Sequence, residues 1–369
     1  MNSEMTNILR REEQITLYLR GIYEKCGYRK YRMGKFEDYD LYVQNKDFLV
    51  SDRVITFNDT SGRLLALKPD VTLSIIKNTT DETGCKQKVY YNENVYRVSG
   101  STHQFKEIMQ TGLECIGDID ILDIFEVVAL GAQSLSLISD TFALDLSHMG
   151  IVSAILDEAS SDELFKKEAI ALIANKNIHE LRALCQGYQI SEESTSAIIT
   201  LVTTYGETTQ VLNALCGICK SERAREAYAQ LSALCTYLEA TSYKNQIKLD
   251  FSVVNDMNYY NGIVFKGFLN GIPESVLSGG EYGMLLQKMG RKSNAIGFAI
   301  YLDLLEGLEG ERCDYDVDTL ILYDDATQDI ALTKKRELIE QKRSVSAQRS
   351  IPSKLRYREL LDLREGESK

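Results

Sequence analysis

Two polar residues, Gln110 and Glu114, are the first candidates for chemistry in this chain. They lie in the stretch from Gln104 to Gly117, whose period-two pattern predicts a β-strand that places them on one face with Gly112 between them. An acid buried without partners is costly, so we expect Glu114 to face a cleft. The alternative interpretation is a hydrogen-bonded network that lies entirely within the sheet.

The stretch 255–265 reads NDMNYYNGIVF and contains a second candidate group. Tyr259 and Tyr260 precede Asn261–Gly262 and an apolar run, which predicts a strand, a tight turn and a second strand. One tyrosine can pack in the core while the other lines a pocket. An ordinary hairpin with core tyrosines would explain the same residues, so the motif alone leaves both interpretations open.

Other short motifs surround these residues. Ser278–Gly283 reads SGGEYG, which predicts a glycine turn where backbone can approach a ligand. Residues 295–301 begin an apolar segment that runs into a helix ending at about Leu308. Cys216 and Cys219 form a lone CxxC pair without a second pair at metal-binding spacing, which favours ordinary buried thiols over a zinc or redox site.

The elements that would position these residues follow from hydrophobic periodicity. Before residue 150, helices are predicted over 7–24, 73–77 and 120–139, the second because Pro69 disfavours helix just before it. Residues 28–42 are expected to be extended, and strands are expected over 54–57, 64–67, 88–97 and 142–146.

The character of the sequence changes after residue 150. Five successive helices are predicted over 162–174, 178–187, 192–205, 209–219 and 222–240, which reads as a helical insertion rather than a continuation of the sheet. A strand resumes at 247–251. In the tail we expect one strand at 317–323, a basic helix at 331–342 and a charged end, with little material for an independent core.

The overall composition narrows the function classes. The chain has 369 residues, 44% of them hydrophobic and 26% charged, with a net charge of −12. An acidic total lowers the expectation of nucleic-acid binding, which needs a basic face. The absence of a signal sequence or an apolar run of about 20 residues favours a cytoplasmic protein that does not bind a membrane.

The order of these motifs resembles the catalytic domain of class II aminoacyl-tRNA synthetases, and specifically histidyl-tRNA synthetases, over about residues 7–310. The resemblance implies an α+β fold, an antiparallel sheet flanked by helices. It divides the chain into a core (1–149 and 242–310), a helical insertion (150–241) and a short C-terminal α/β segment (311–369), a remnant of an anticodon-binding-like domain.

The same resemblance implies a histidine-binding site. Arg97 matches the arginine that grips the ATP α-phosphate beside the amino-acid carboxylate, while Asp70 and Thr72, with Gln110, match the residues that hold the α-ammonium. Glu114 and Tyr260 match the residues that bind the imidazole. The implied set of histidine-binding residues is Asp70, Thr72, Arg97, Gln110, Glu114, Tyr259, Tyr260 and Tyr282.

Departures from the synthetase pattern fall on the cations that serve ATP chemistry. Asn255, Glu281 and Leu304 stand where the family has arginine. Tyr301 fills a glycine position of the last motif. Losing several cations would abolish useful amino-acid activation, because charge stabilisation dominates such chemistry. These departures predict no catalytic residues, no metal and no cofactor.

A synthetase-like domain that keeps a histidine pocket and loses ATP chemistry resembles the regulatory subunits of ATP phosphoribosyltransferase, the first enzyme of histidine biosynthesis. That resemblance implies a short-form catalytic subunit as partner, a homodimer within a hetero-octamer, and feedback inhibition by L-histidine. The alternatives are an active histidine–tRNA ligase or another synthetase-like amino-acid sensor. The early segment 35–39 lacks the proline expected at the family's dimer interface.

Overall fold

The computed structural model describes residues 9, 11–45, 54–80, 84–99, 102–254, 260–307 and 314–364. Two compact units divide the chain, residues 1–308 and residues 309–369. The helices of the first unit are α1 (Arg11–Lys25), α2 (Tyr39–Gln44), α3 (Thr72–Lys77), α4 (Ile121–Ile138), α5 (Met149–Ala159), α6 (Glu163–Ala174), α7 (Ile178–Gly187), α8 (Glu192–Thr203), α9 (Thr208–Cys216), α10 (Glu222–Leu238) and α11 (Gly283–Lys288).

The strands of the first unit form two sheets. Their bounds are β1 (Arg29–Lys30), β2 (Phe36–Asp38), β3 (Thr56–Asn58), β4 (Leu64–Leu67), β5 (Lys86–Val98), β6 (Phe105–Gly117), β7 (Phe142–His148), β8 (Tyr205–Gly206), β9 (Ile247–Asp250), β10 (Ile263–Leu269), β11 (Leu277–Glu281) and β12 (Asn294–Tyr301). A 3-10 helix, Leu302–Gly307, follows β12.

The large sheet has nine strands in the order β1-β5-β6-β12-β11-β10-β7-β9-β8. Its central pairs are antiparallel, while β1 with β5 and β7 with β9 are parallel. The smaller sheet has the order β2-β4-β3 and is antiparallel. An antiparallel sheet flanked by helices was the predicted α+β fold, and the structure confirms it.

One face of the large sheet packs against α4, whose sequence is apolar nearly throughout. Val127, Val128 and Leu135 of α4 are fully buried in the same core cluster as Phe265 and Phe298 of the sheet. An Asp120 capping box begins this helix. By length and hydropathy α4 could span a membrane, but more than half of it is buried inside the protein, as in a core helix.

Several predicted elements of the first unit have different bounds in the structure. Residues 28–42 are not extended throughout, because α2 begins at Tyr39. The helical region contains α5, which the sequence did not predict, and β8, which joins the edge of the large sheet. The helix predicted after residues 295–301 is the 3-10 helix Leu302–Gly307.

The predicted SGGEYG turn is wrong, because Gly279 and Gly280 lie within β11. Both glycines are needed for close packing inside the sheet. A Cβ on Gly279 would lie 2.5 Å from the carbonyl oxygen of Gly297, and one on Gly280 would lie 2.7 Å from the Tyr260 ring. These glycines therefore let the backbone of β11 approach the neighbouring strands and the Tyr260 ring, not a ligand as the sequence predicted.

The second unit contains β13 (Val317–Leu322), α12 (Gln328–Glu340), β14 (Val345–Gln348) and β15 (Tyr357–Asp362). The three strands are parallel with β13 in the centre. The sequence predicted only the first strand, because β14 and β15 are short and polar. Ile321, Ala331 and Leu338 form a small core of their own.

The cysteines of the CxxC pair have different environments. Cys219 is buried and burial raises the pKa of its thiol to about 11, whereas Cys216 is exposed. The expectation of two buried thiols is therefore wrong for Cys216.

Candidate functional site

Glu114 is the centre of the candidate site, and it is only 2% exposed. The hydroxyl of Thr72 donates to its Oε1 at 2.8 Å, and the phenol of Tyr282 donates to its Oε2 at 2.6 Å. Burial raises the pKa of Glu114 to about 8, although these two hydrogen bonds oppose the shift. Glu114 is thus buried with partners, which corrects the expectation of an acid open to a cleft.

Four elements bring this cluster together. Glu114 lies on β6, Thr72 is the first residue of α3, and Tyr282 directly follows β11. Gly297 of β12 lies opposite Glu114 in the register, and a Cβ there would come within 1.7 Å of its Oε2. A side chain at position 297 would therefore displace the carboxyl that Tyr282 holds.

A second group, Arg97 with Asp70, lies close to this cluster. The Arg97 Nε donates to the carbonyl oxygen of Pro69 at 3.1 Å, which fixes the guanidinium beside the β4–α3 loop. Asp70 accepts the backbone N–H of Leu73 at 2.8 Å. Burial raises the pKa of Asp70, and the positive charge of Arg97 partly offsets that shift.

Three tyrosine side chains lie close to these groups. Burial raises the pKa of Tyr91, Tyr260 and Tyr301, and all three phenols lie within electrostatic range of Asp70. The positive charge of Arg97 opposes the rise in the pKa of the Tyr301 phenol, so the residue at the family's glycine position lies close to the site's cation. Tyr91 fills the space over Gly112, where a Cβ would lie 2.6 Å from its phenol oxygen.

The structure thus gathers most of the predicted site residues. Gln110 is buried and lies opposite Tyr301 in the β6–β12 register. Tyr259, with Asn255 and Asn258, lies outside the described residues, so only the outgoing strand of the predicted hairpin, β10, is observed. The sequence did not single out Tyr91, although its spacing from Arg97 in a strand placed both on one face.

The arrangement is suited to a small zwitterionic ligand. Arg97 can bind a carboxylate, Asp70 an ammonium group, and the Glu114 carboxyl with its phenol neighbours can bind a group that has both N–H and acceptor atoms. The site combines a buried acid, whose pKa burial raises to about 8, with a cation, a second acid and several buried phenols. Such a constellation is typical of a functional site.

Comparison with known proteins places this geometry in a family. The family model described as histidyl-tRNA synthetase matches residues 6–305. The chain belongs to the histidyl-tRNA synthetase family. Its match covers the large sheet, the helical region and all the predicted site residues.

Curated relatives of this chain are named as regulatory subunits. A protein of Oceanobacillus iheyensis named ATP phosphoribosyltransferase regulatory subunit is 29% identical over 76% of this chain and 69% of its own length. One of Clostridium botulinum with the same name is 28% identical over 86% of this chain and 79% of its own. The predicted resemblance to these regulatory subunits is confirmed.

Solved structures show the same fold. A Bacillus halodurans protein described as an ATP phosphoribosyltransferase regulatory subunit/histidyl-tRNA synthetase covers 96% of this chain and 94% of its own, with 24% identity and a TM-score of 0.75. The histidyl-tRNA synthetase of Nostoc sp. PCC 7120 covers 93% and 83%, with 18% identity and a TM-score of 0.71. The Thermotoga maritima HisG:HisZ ATP phosphoribosyl transferase complex covers 82% and 99%, with 19% identity and a TM-score of 0.62.

Proposed function

We propose that this chain is a non-catalytic regulatory subunit of ATP phosphoribosyltransferase that binds L-histidine as a feedback inhibitor. The observation that carries the proposal is the buried Glu114 carboxyl between Thr72 and Tyr282, beside Arg97 and Asp70. The relatives named as regulatory subunits support the same role.

The imidazole end of the ligand meets Glu114 and Tyr260. Without a ligand the Glu114 carboxyl is largely protonated at pH 7, because burial raises its pKa to about 8. A carboxyl with two hydroxyl donors retains free lone pairs for an imidazole N–H. Tyr260 supplies a phenol to the other ring nitrogen. A site of this kind selects a ring with two nitrogens over an apolar ring of similar size, since a lost partner leaves a buried polar group unpaired.

The amino-acid end meets Arg97 and Asp70. A guanidinium and a carboxylate beside the same loop bind the α-carboxylate and the α-ammonium of a free amino acid, with Thr72 and Gln110 beside them.

The same site supplies little for ATP chemistry. Glu281 is held by Gln230 at 3.0 Å, and Leu304 packs partly buried against the core, so neither position offers a cation to a triphosphate. We therefore assign this chain no active site of its own. Its partner is a short-form catalytic subunit, within a hetero-octamer built on homodimers of this chain in the cytoplasm.

Reconstitution with a short-form catalytic subunit tests the proposal. The wild-type chain is expected to activate the catalytic subunit, and L-histidine is expected to inhibit the complex. Glu114→Gln is expected to keep the activation and to raise the inhibitory histidine concentration at least about tenfold, whereas Glu274→Gln, on an exposed residue, should change neither. Failure of the wild-type chain to activate or assemble would overturn the role as a regulatory subunit.

A further inference from the structure

A chain of hydrogen bonds connects the helical region to the large sheet. His148 Nε2 lies 2.8 Å from Gln230 Oε1, and Gln230 Nε2 donates to Glu281 Oε1 at 3.0 Å. His148 ends β7, Gln230 lies on α10, and Glu281 ends β11. A cavity of about 90 Å³, lined in part by Asn261 and Asn294, lies beside Gln230 and Glu281.

The hydrogen-bond partners fix the direction of this chain. The backbone N–H of Gly150 donates to His148 Nδ1 at 3.1 Å, so the ring proton is on Nε2 and is donated to Gln230 Oε1. Burial lowers the pKa of His148 to about 4, which keeps the ring neutral at pH 7. The Gln230 amide group must then point its NH₂ at Glu281, and only an acceptor at Glu281 completes the pattern.

Glu281 also holds the Asn261–Ile263 turn, which follows Tyr260. Its Oε2 accepts the backbone N–H of Ile263 at 3.3 Å, and its carbonyl oxygen accepts the backbone N–H of Asn261 at 3.2 Å. A Cβ on Gly262 would lie 1.5 Å from the same Oε2, so the carboxyl occupies the space that this glycine leaves.

The residue after Glu281 is Tyr282, whose phenol donates to Glu114 in the candidate site. Glu281 and Tyr282 are therefore consecutive residues with different contacts. Glu281 contacts the helical region, and Tyr282 contacts Glu114 in the candidate site. Through the Asn261–Ile263 turn, Glu281 also sets the backbone that follows the Tyr260 ring.

We propose that Glu281 is a positioning residue of the ligand site and that Gln230 couples it to the helical region 150–241. The proposal rests on the proposed function for the identity of the ligand, L-histidine. A ligand bound between Glu114 and Tyr260 fixes the Asn261–Ile263 turn that follows Tyr260, and so stabilises the hydrogen bond from Gln230 on α10 to Glu281. By linkage, if histidine changes the affinity of a partner that binds α10 by some factor, that partner changes histidine affinity by the same factor.

A swap of the two side chains tests this coupling. Glu281→Gln alone leaves one acceptor oxygen where the carboxylate has two. That oxygen can accept from the Gln230 NH₂ or from the Ile263 N–H but not from both, so one donor loses its acceptor. Adding Gln230→Glu restores the pattern, because the carboxylate introduced on α10 would accept from both His148 and the new amide. Gln186→Glu, on an exposed residue of α7, makes the same charge change without touching the chain of hydrogen bonds.

Calorimetric titration of the full chain with L-histidine gives the first readout. Glu281→Gln is expected to weaken binding about tenfold, the swap to restore it to within about threefold, and Gln186→Glu to leave it unchanged. Unchanged affinity in Glu281→Gln, or weakened affinity that the swap does not restore, would overturn the proposal. If Glu281→Gln fails to fold, the histidine affinity of the swap is compared with that of wild type. A swap that binds histidine more than about threefold more weakly than wild type would then overturn the proposal.

Amide hydrogen exchange without ligand gives a second readout that does not depend on histidine. The amides of residues 261–263 are expected to exchange about tenfold faster in Glu281→Gln and to return to the wild-type rate in the swap. If the wild-type chain does not bind histidine but the three proteins show these exchange rates, the proposed function is wrong and the positioning role of Glu281 stands. Equal exchange in all variants would remove the positioning role.

Discussion

The Tyr282 phenol and the Glu114 carboxyl form a 2.6 Å hydrogen bond between residues 168 positions apart in the chain. Both residues are 2% exposed, so the bond forms away from water, where an unpaired carboxyl would be costly. The bond brings the start of α11 onto β6 and fixes the acid that we assign to the imidazole.

Replacing Tyr282 by Phe tests the role of that bond. Tyr282→Phe removes one donor to Glu114 and is expected to lower L-histidine affinity about tenfold, with a stability loss of about 1–2 kcal/mol. Tyr237→Phe is the matched control, since Tyr237 is 41% exposed and its ring contact with Phe125 survives the change. Calorimetry and thermal unfolding measure both quantities. Equal affinity in Tyr282→Phe and wild type would show that the phenol does not organise the site.

The raised pKa of Glu114 predicts a pH dependence of stability in the ligand-free chain. Because its pKa is about 8 in the folded state and near the ordinary 4.5 in the unfolded state, the native state holds a proton that the unfolded state has lost. Stability is therefore expected to fall as pH rises from 6.5 to 8, by about 2 kcal/mol from this group. His148 opposes this slope only slightly, since its ring is mostly deprotonated in both states above pH 7.

Glu114→Gln isolates that contribution, because glutamine does not titrate. Urea unfolding midpoints measured between about pH 6.5 and 8 are expected to decline less steeply in Glu114→Gln than in wild type. Glu281, whose pKa burial raises to about 7, accounts for part of the remaining decline. Parallel pH profiles for the two proteins would contradict the assigned environment of Glu114.

Part of this site follows from sequence and part does not. The period-two pattern of β6 placed Gln110 and Glu114 on one face, whereas the grouping of Glu114 with Tyr282 followed only from the resemblance. Nothing in the local sequence of α10 marked Gln230, because its partners lie 82 positions before it and 51 after it. Short polar strands such as β14 and β15 carry too few apolar residues for a periodic pattern, so tertiary contacts decide them.

The glycine opposite Glu114 gives a steric prediction. Gly297→Ala would place a Cβ 1.7 Å from Glu114 Oε2 and 2.5 Å from the carbonyl oxygen of Leu113, so backbone must shift. We expect a stability loss of about 2–3 kcal/mol and loss of histidine binding. Gly21→Ala, within α1 and with open space around its Cβ, should instead stabilise the chain by up to about 1 kcal/mol. Chemical denaturation of both variants checks the contrast, and a tolerated Gly297→Ala would contradict it.

The Lys68–Glu93 ion pair supports the loop that carries Asp70. Lys68 is fully buried, its Nζ donates to Glu93 at 3.0 Å, and burial lowers its pKa. Lys68→Met leaves the Glu93 carboxylate unpaired and is expected to destabilise the chain by about 3 kcal/mol. Lys68→Met combined with Glu93→Leu should recover most of that loss. Urea unfolding of the two variants measures it, and a double variant no more stable than the single would argue against an unpaired charge as the cause.

Calorimetric titration of the wild-type chain with L-histidine, alone and with ATP and Mg²⁺ present, distinguishes a histidine-binding regulatory subunit from a ligase. We expect saturable histidine binding whose affinity ATP does not change, with no release of pyrophosphate. Histidine-dependent release of pyrophosphate would contradict this expectation and indicate that the chain is an active histidine–tRNA ligase. A chain that binds no histidine at all would contradict the assignment of Glu114, Tyr282 and Arg97 to a ligand.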